Sequence, residues 1–200
     1  MKTILQLNTS ILSDEGQSTR LANDFVETLR KGEKLIVRDL ARDPVPHLDA
    51  ERFGAFIAKP ESRTKAQQSV VAYSDQLIGE LKEADVIVLG LPMYNFGVPS
   101  MLKAYFDHVA RAGVTFSYTA TGPVGLLAGK KAYVLATRGG FYAGTPRDTQ
   151  TAYVRDFLAF LGITDVEFVY AEGLAISEAS RNAALSKARA DLERLVPAYA

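Results

Sequence analysis

The chain has 200 residues, 48% hydrophobic and 23% charged, and its 23 lysines and arginines balance 23 aspartates and glutamates. Zero net charge removes any overall basic drive toward nucleic acid or anionic membranes, leaving only local patches. The absence of cysteine excludes disulfides, thiolate metal sites, thiol nucleophiles and cysteine-ligated clusters, and two histidines argue against a multi-histidine metal site, so any redox chemistry needs a bound cofactor.

A chain of this size buries roughly 70% of its unfolded surface, enough for one core without staples, and residues 1–200 read as one domain. No apolar run reaches membrane-spanning length, and MKTILQLNTS is too short an apolar start for a signal peptide, so a cytoplasmic protein is expected.

In chain order, residues 3–8 (TILQLN) read as a first strand. A hydroxyl-rich loop follows, then a helix with Leu21, Phe25 and Leu29 on one face and Ser18 as its expected N-cap. Residues 34–38 suit a second strand, 39–62 a loop-like insertion, and about 63–83 a helix. Residues 85–91 (DVIVLGL) are nearly continuously apolar, as in a strand covered on both faces, and Pro92 ends the run. A helix over 100–110, an irregular stretch over 111–130 and a strand over 131–136 come next. A Gly-rich loop, a helix near 150–161, a strand over 165–171 and a helix near 178–195 complete the chain. Five strands alternating with five helices predict an α/β protein: an open five-stranded parallel sheet with helices on both faces.

Ligands of such sheets sit beyond the carboxyl ends of the strands at the switch in strand order. Three loops there are distinctive. Residues 9–18 carry Thr9, Ser10, Ser13 and Ser18, with Gly16 just before a helix N-terminus. They read either as neutral donors for a phosphate monoester or as a capped loop. Residues 92–98 place Tyr94 and Phe96 directly after a buried strand, as a bed for a planar heterocycle or as packing for the next helix. Residues 137–144 hold Gly139 and Gly140, read either as backbone donors approaching a ligand or as a tight turn. No GxGxxG follows the first strand, Gly129-Lys130 lacks the rest of a P-loop, and Asn8, Thr9 and Ser10 stand where a phosphoacceptor domain needs acids. His108 and His47 read as structural or loop residues, and Asp14 and Glu15 as solvated charges near a helix start.

These features resemble the FMN-dependent NADH-azoreductases, relatives of the flavodoxin-like quinone reductases, over essentially the whole chain. The resemblance runs through Thr9-Ser10-Ile11-Leu12, GQS at 16–18, PMYNF at 92–96, ARAGVTF at 110–116, RGG at 138–140, FLAFLGITDV at 157–166 and AEG at 171–173. It implies FMN as cofactor and NADH or NADPH as donor. It also implies two-electron ping-pong reduction of quinones to hydroquinones and of azo compounds to aromatic amines, by a homodimer. By position, Ser10, Gly16, Gln17 and Ser18 would hold the phosphate, and Met93, Tyr94, Asn95 and Phe96 would line the isoalloxazine. Thr137, Arg138, Gly139 and Gly140 would meet its pyrimidine side, the two glycines as candidate backbone donors, with no catalytic side chain required. Phe116, Tyr118, Tyr142 and Phe160 would wall the substrate pocket, with Phe116, Tyr118 and Phe160 coming from the partner chain or else being core packing. Two departures from the family are Gly16, where serine is common, and Tyr142, where histidine is common. The competing expectations are a one-electron flavodoxin-type carrier, which tends to be strongly acidic, and a flavin-binding regulatory module without turnover.

Overall fold

A computed structural model describes residues 2–196. Its strands β1 (Thr3–Asn8), β2 (Lys34–Asp39), β3 (Val86–Pro92), β6 (Lys131–Thr137) and β7 (Asp165–Ala171) form one parallel sheet in the order β2-β1-β3-β6-β7. This is the flavodoxin-like arrangement, with the switch in strand order between β1 and β3. Every residue of β1 and β3 is buried, as is all of β6 after Lys131, whereas β2 and β7 expose residues at the sheet edges. The nearly continuous apolar runs thus mark β3 and β6, while β1 buries Thr3, Gln6 and Asn8 along with its apolar residues.

Alternate side chains of each central strand enter two separate cores. Ile4, Val86, Val88, Tyr133 and Leu135 face α1 (Gln17–Leu29) and α6 (Glu178–Leu195). Leu5, Leu7, Ile87, Leu89 and Val134 face α3 (Lys65–Glu83), α4 (Ser100–Val109) and α5 (Thr149–Phe160). Fully burying one such aliphatic side chain contributes about 1.5–3 kcal/mol. The α3 start is fixed by a capping box between Thr64 and Gln67.

Three expectations are corrected. Helix α1 starts at Gln17 with Gly16 as N-cap, so Ser18 lies inside its first turn and does not cap it. The 39–62 stretch contains α2 (Ala50–Ile57), capped by the Asp49 side chain on the Arg52 N–H. Its apolar residues Ala50, Phe53, Phe56 and Ile57 do recur at helical spacing, but Pro44, Pro46 and Gly54 give the stretch the look of a loop, and only Ala55 of the helix is buried. The 111–130 stretch contains an antiparallel hairpin of β4 (Phe116–Thr119) and β5 (Gly122–Gly125). Those strands are too short, and β5 too rich in glycine and proline, to show a strand pattern.

His108 is a core residue, as expected. Its Nδ1 bonds the Ala104 carbonyl at 3.0 Å, and its ring stands edge-on to Phe56 and Tyr73 with centroids 5.9 and 6.2 Å away. Burial pushes its pKa below the ordinary 6.5, opposed by the Ala104 hydrogen bond and the nearby Asp107 and Asp49 and assisted by Arg52. A base with a depressed folded pKa is neutral in both states at high pH, and the unfolded chain takes the proton first as pH falls. The stability present above pH 6.5 is therefore expected to decline as pH drops through and below that value. Thermal melts from pH 8 to 5 should show this decline, and His108→Phe should flatten it.

Candidate functional site

The carboxyl ends of β1, β3 and β6 bring the three distinctive loops together. After β1, the Thr9 hydroxyl donates to the Gly90 carbonyl at 2.7 Å, tying this loop to β3. Ser10 is buried, and its Oγ lies 3.2 Å from the Tyr94 hydroxyl and accepts from the Leu12 N–H at 3.2 Å. A short 3-10 turn over Ser13–Glu15 leads to Gly16. A Cβ at Gly16 would overlap the Ser10 hydroxyl, so glycine here is required by close approach and not by its φ of −71°. A serine at this position would have to displace Ser10.

The start of α1 has no side-chain cap and no acidic residue in its first turn. Its Ser18 and Thr19 hydroxyls are buried without hydrogen-bond partners. Unpaired N–H groups, the positive end of the helix dipole and an unused hydroxyl make this helix start suited to an anion. Asp14 and Glu15, just outside it, are exposed and ion-paired to Arg42 and Arg20.

After β3, Tyr94 and Gly97 exchange both backbone hydrogen bonds, at 2.9 and 3.2 Å, around Asn95 and Phe96. Both central residues are left-handed, with φ of 50° and 64°. Two positive φ values in a row make a turn of type I′, which favours glycine and asparagine. Phenylalanine there costs about 1–3 kcal/mol, a strain of the kind found at ligand sites. Gly97, whose φ is not positive, only closes the turn. Phe96 is half exposed, and its ring meets Tyr142 edge-on at 5.6 Å, joining this loop to the one after β6.

After β6, Thr137 is buried and its carbonyl accepts from the Met93 N–H at 3.0 Å. The Gly139 and Gly140 carbonyls accept from Ala175 and Gly173, while their own N–H groups donate to no backbone carbonyl among the described residues. Neither glycine has a positive φ, and a Cβ on Gly140 would come within 2.7 Å of the Tyr142 hydroxyl. The space over Gly140 is thus closed by the chain's own tyrosine.

Arg138 turns inward. It is fully buried, donating to Asp148 at 2.8 Å, Thr151 at 3.1 Å and Glu172 at 3.2 Å, with its guanidinium 5.0 Å from the Tyr170 ring centroid. Glu172 Oε1 also accepts from the Tyr142 and Ala143 N–H groups, each at 2.8 Å. The backbone of residue 138 is used as well, its N–H donating to the Ala171 carbonyl at 2.9 Å and its carbonyl accepting from the Leu174 N–H at 3.1 Å, so Nε is its one buried polar atom without a partner among the described residues. Burial alone would raise the Asp148 pKa, but hydrogen bonds from Arg138 and Thr151 outweigh it and hold the carboxyl below 3.8.

The flavodoxin-like fold family matches residues 2–196. The FMN-dependent NADH:quinone oxidoreductase of Cellvibrio japonicus is 52% identical over 201 residues, covering 99% of this chain and 100% of its own. The chain belongs to this family of oxidoreductases. An FMN-dependent NADH:quinone oxidoreductase from Burkholderia lata is 54% identical over 192 residues, covering 94% of this chain and 97% of its own. Among solved structures, an azoreductase from Bacillus anthracis superposes with a TM-score of 0.89 at 26% identity, covering 98% of this chain and 99% of that one. An FMN-dependent NADH-azoreductase from the same species, solved with FMN, gives 0.86 at 28%, covering 98% and 100%.

In this oxidoreductase the predicted pocket aromatics do not all meet the three loops. Tyr142 does. Phe160 is the last residue of the 12-residue α5, whose first turn touches the loops, so it lies about 16 Å further along the helix. There it packs on Phe116, with centroids 4.3 Å apart, and Phe116 meets Tyr118 edge-on at 5.4 Å. Phe116 is buried, while Tyr118 is 75% exposed. Within one chain, Phe116 and Phe160 are packing partners. The residues that sequence reading missed are Thr149, Gln150 and Glu172. Their signal was faint: polar side chains at the start of a helix or directly after a strand.

Proposed function

We propose that the chain binds FMN across the carboxyl ends of β1, β3 and β6 and reduces quinones and azo compounds with NADH or NADPH as donor. The observation that supports this best is the buried, partnerless Ser18 hydroxyl in the uncapped first turn of α1. It lies at the end of the sheet where the Ser10–Tyr94 and Phe96–Tyr142 contacts gather the other two loops. These residues fit the cofactor. Ser10, the Gln17 and Ser18 N–H groups and the Ser18 hydroxyl would hold its phosphate, beside Gly16, whose own N–H is bonded to the Ser13 carbonyl, and Met93, Tyr94, Asn95 and Phe96 would flank its ring. Thr137 and the Arg138-Gly139-Gly140 segment would meet the polar ring edge, where the Gly139 and Gly140 N–H groups favour negative charge, the Arg138 N–H being bonded to Ala171. FMN, when bound, supplies the two-electron hydride chemistry, which cysteine-free protein side chains do not provide. The protein's share is to bind, orient and exclude water.

The homodimer and the cytoplasmic location belong to the same reading. Exposed Ile11, Leu12, Phe96, Phe141 and Ile176 all lie on loops at the carboxyl end of the sheet and favour cover by a second copy. Such a copy could bring Phe116, Tyr118 and Phe160 to a pocket they do not reach in their own chain. Among the described residues, no helix is long and apolar enough to cross a membrane. A one-electron carrier is not favoured, because the relatives at 52–54% identity bear oxidoreductase names.

The direct test is to reconstitute the protein with FMN, desalt it and add NADH without oxygen. Retained colour that bleaches with NADH and returns with a quinone is the expected result. Loss of FMN on desalting would sink the proposal, and bound FMN that NADH cannot bleach would move the carrier or sensor reading ahead. Ser18→Ala separates binding from folding. It is expected to weaken FMN binding about tenfold or more, through loss of a hydrogen bond to a charged group. Without FMN its thermal midpoint should be unchanged or slightly higher, because the hydroxyl is buried without a partner.

A further inference from the structure

The turn over residues 94–97 is strained, and it is held from outside by the first turn of α5. Gln150 has no exposed surface, and its Nε2 donates to the carbonyls of Pro92 and Gly97, both at 2.9 Å. One amide therefore uses both its hydrogens to span the turn from its entry to its exit. Beside it, the Thr149 hydroxyl donates to the carbonyl of Phe96, the second left-handed residue. The preceding residue, Asp148, reaches the other loop: it binds Arg138, which binds Glu172, which takes the Tyr142 and Ala143 N–H groups. The Phe96–Tyr142 ring contact closes the circuit. Three consecutive residues, 148 to 150, thus grip both loops assigned to the flavin ring.

We propose that the first turn of α5 is a clamp that sets the two ring-binding loops relative to one another, with Gln150 as the positioning residue for the 94–97 turn. The inference rests on the cofactor reading above, and it adds residues that this reading does not assign to the ring. Among neutral side chains only the carboxamides of glutamine and asparagine offer two donors on one nitrogen, and asparagine is one methylene shorter. A left-handed pair at Asn95 and Phe96 persists only where its surroundings over-determine it. Tyr94 and Gly97 bond each other, but that pairing fixes the turn's own closure and not its position over β6.

The test compares Gln150→Met, which keeps length and removes both donors, with Thr149→Val, which removes an exposed hydroxyl and serves if the first variant folds poorly. Each is measured for FMN affinity by flavin fluorescence quenching and for amide exchange along the chain. The clamp predicts faster exchange at Tyr94 and Gly97, unchanged protection in β3 over residues 86–91, and an FMN dissociation constant raised about tenfold for Gln150→Met. Thr149→Val should show the same pattern more weakly. Wild-type affinity in both variants overturns the clamp. So does exchange that rises equally through β3 and β6 in both, which would make these residues general stabilisers. If the wild-type protein itself does not retain FMN, the functional reading fails, and the local exchange at residues 94 and 97 still decides the clamp.

Discussion

Replacing Arg138 with methionine is expected to destabilise the protein by about 3–5 kcal/mol, the usual cost of breaking a buried ion cluster from one side. The Arg138 side chain has no exposed surface, and those of Asp148 and Glu172 are only 8% and 14% exposed. Without the guanidinium, two carboxylates face each other in a poorly solvated space. At roughly 2–4 °C per kcal/mol for a domain of this size, the thermal midpoint should fall by about 10 °C. The same network makes the wild type sensitive to acid. The Asp148 carboxyl is held below 3.8 in the folded state, so its stabilisation is present above that value and is lost as pH falls through the lower folded pKa. Neutralising the acids as well, in Arg138→Met/Asp148→Asn/Glu172→Gln, should recover most of the loss. Asparagine remains a good helix cap for α5, and glutamine keeps an acceptor for the Tyr142 and Ala143 N–H groups. A midpoint unchanged in Arg138→Met would mean that the cluster contributes nothing net to stability.

Gly125→Ala is expected to cost about 3 kcal/mol or more, although one methyl is a small change. A Cβ at Gly125 would overlap backbone atoms of Leu161 and Gly162 at the end of α5. Backbone cannot rotate away as a side chain can, so the β4–β5 hairpin must lift. Gly162 is itself left-handed, with φ of 97°, and a Cβ on it would sit 3.0 Å from the Gly125 carbonyl carbon. The hairpin and the helix end are thus seated through paired glycines, sealed by the Leu127 N–H donating to the Leu161 carbonyl at 2.8 Å. Gly125 pairs with Phe116 across the hairpin, so the Phe116–Phe160 contact should loosen too. A thermal melt checks the stability, and FMN affinity measured beside quinone turnover checks the function. Normal FMN binding with lost turnover would support a role for the hairpin in the substrate pocket. A midpoint within experimental error of wild type would show that the close approach is relieved without cost.

The sequence by itself determined the α/β class, the five parallel strands and the three loops at their carboxyl ends. Each is written in local pattern: a short mixed run in β1, nearly continuous apolar runs in β3 and β6, periodic stripes in the helices, and hydroxyl, aromatic or glycine clusters after the strands. The same pattern misplaced the start of α1, because Ser18 has the chemistry of a cap but stands two residues inside it. It passed over α2, whose short apolar stripe sits beside Pro44, Pro46 and Gly54, and over the hairpin, whose strands have four residues each. Tertiary structure alone decided what the polar residues do. Arg138 sits in a motif that reads as ligand-facing, yet its partners lie 10 and 34 residues away and draw it into the interior. Gln150 looks like an ordinary polar residue of a helix until the fold brings it 2.9 Å from carbonyls 53 and 58 residues earlier. Phe160 shares an aromatic character with the site but not its end of α5. Periodicity reports which face of an element is buried. Where a buried charge or amide finds its partner depends on elements distant in sequence, and only the assembled sheet and helices set those distances.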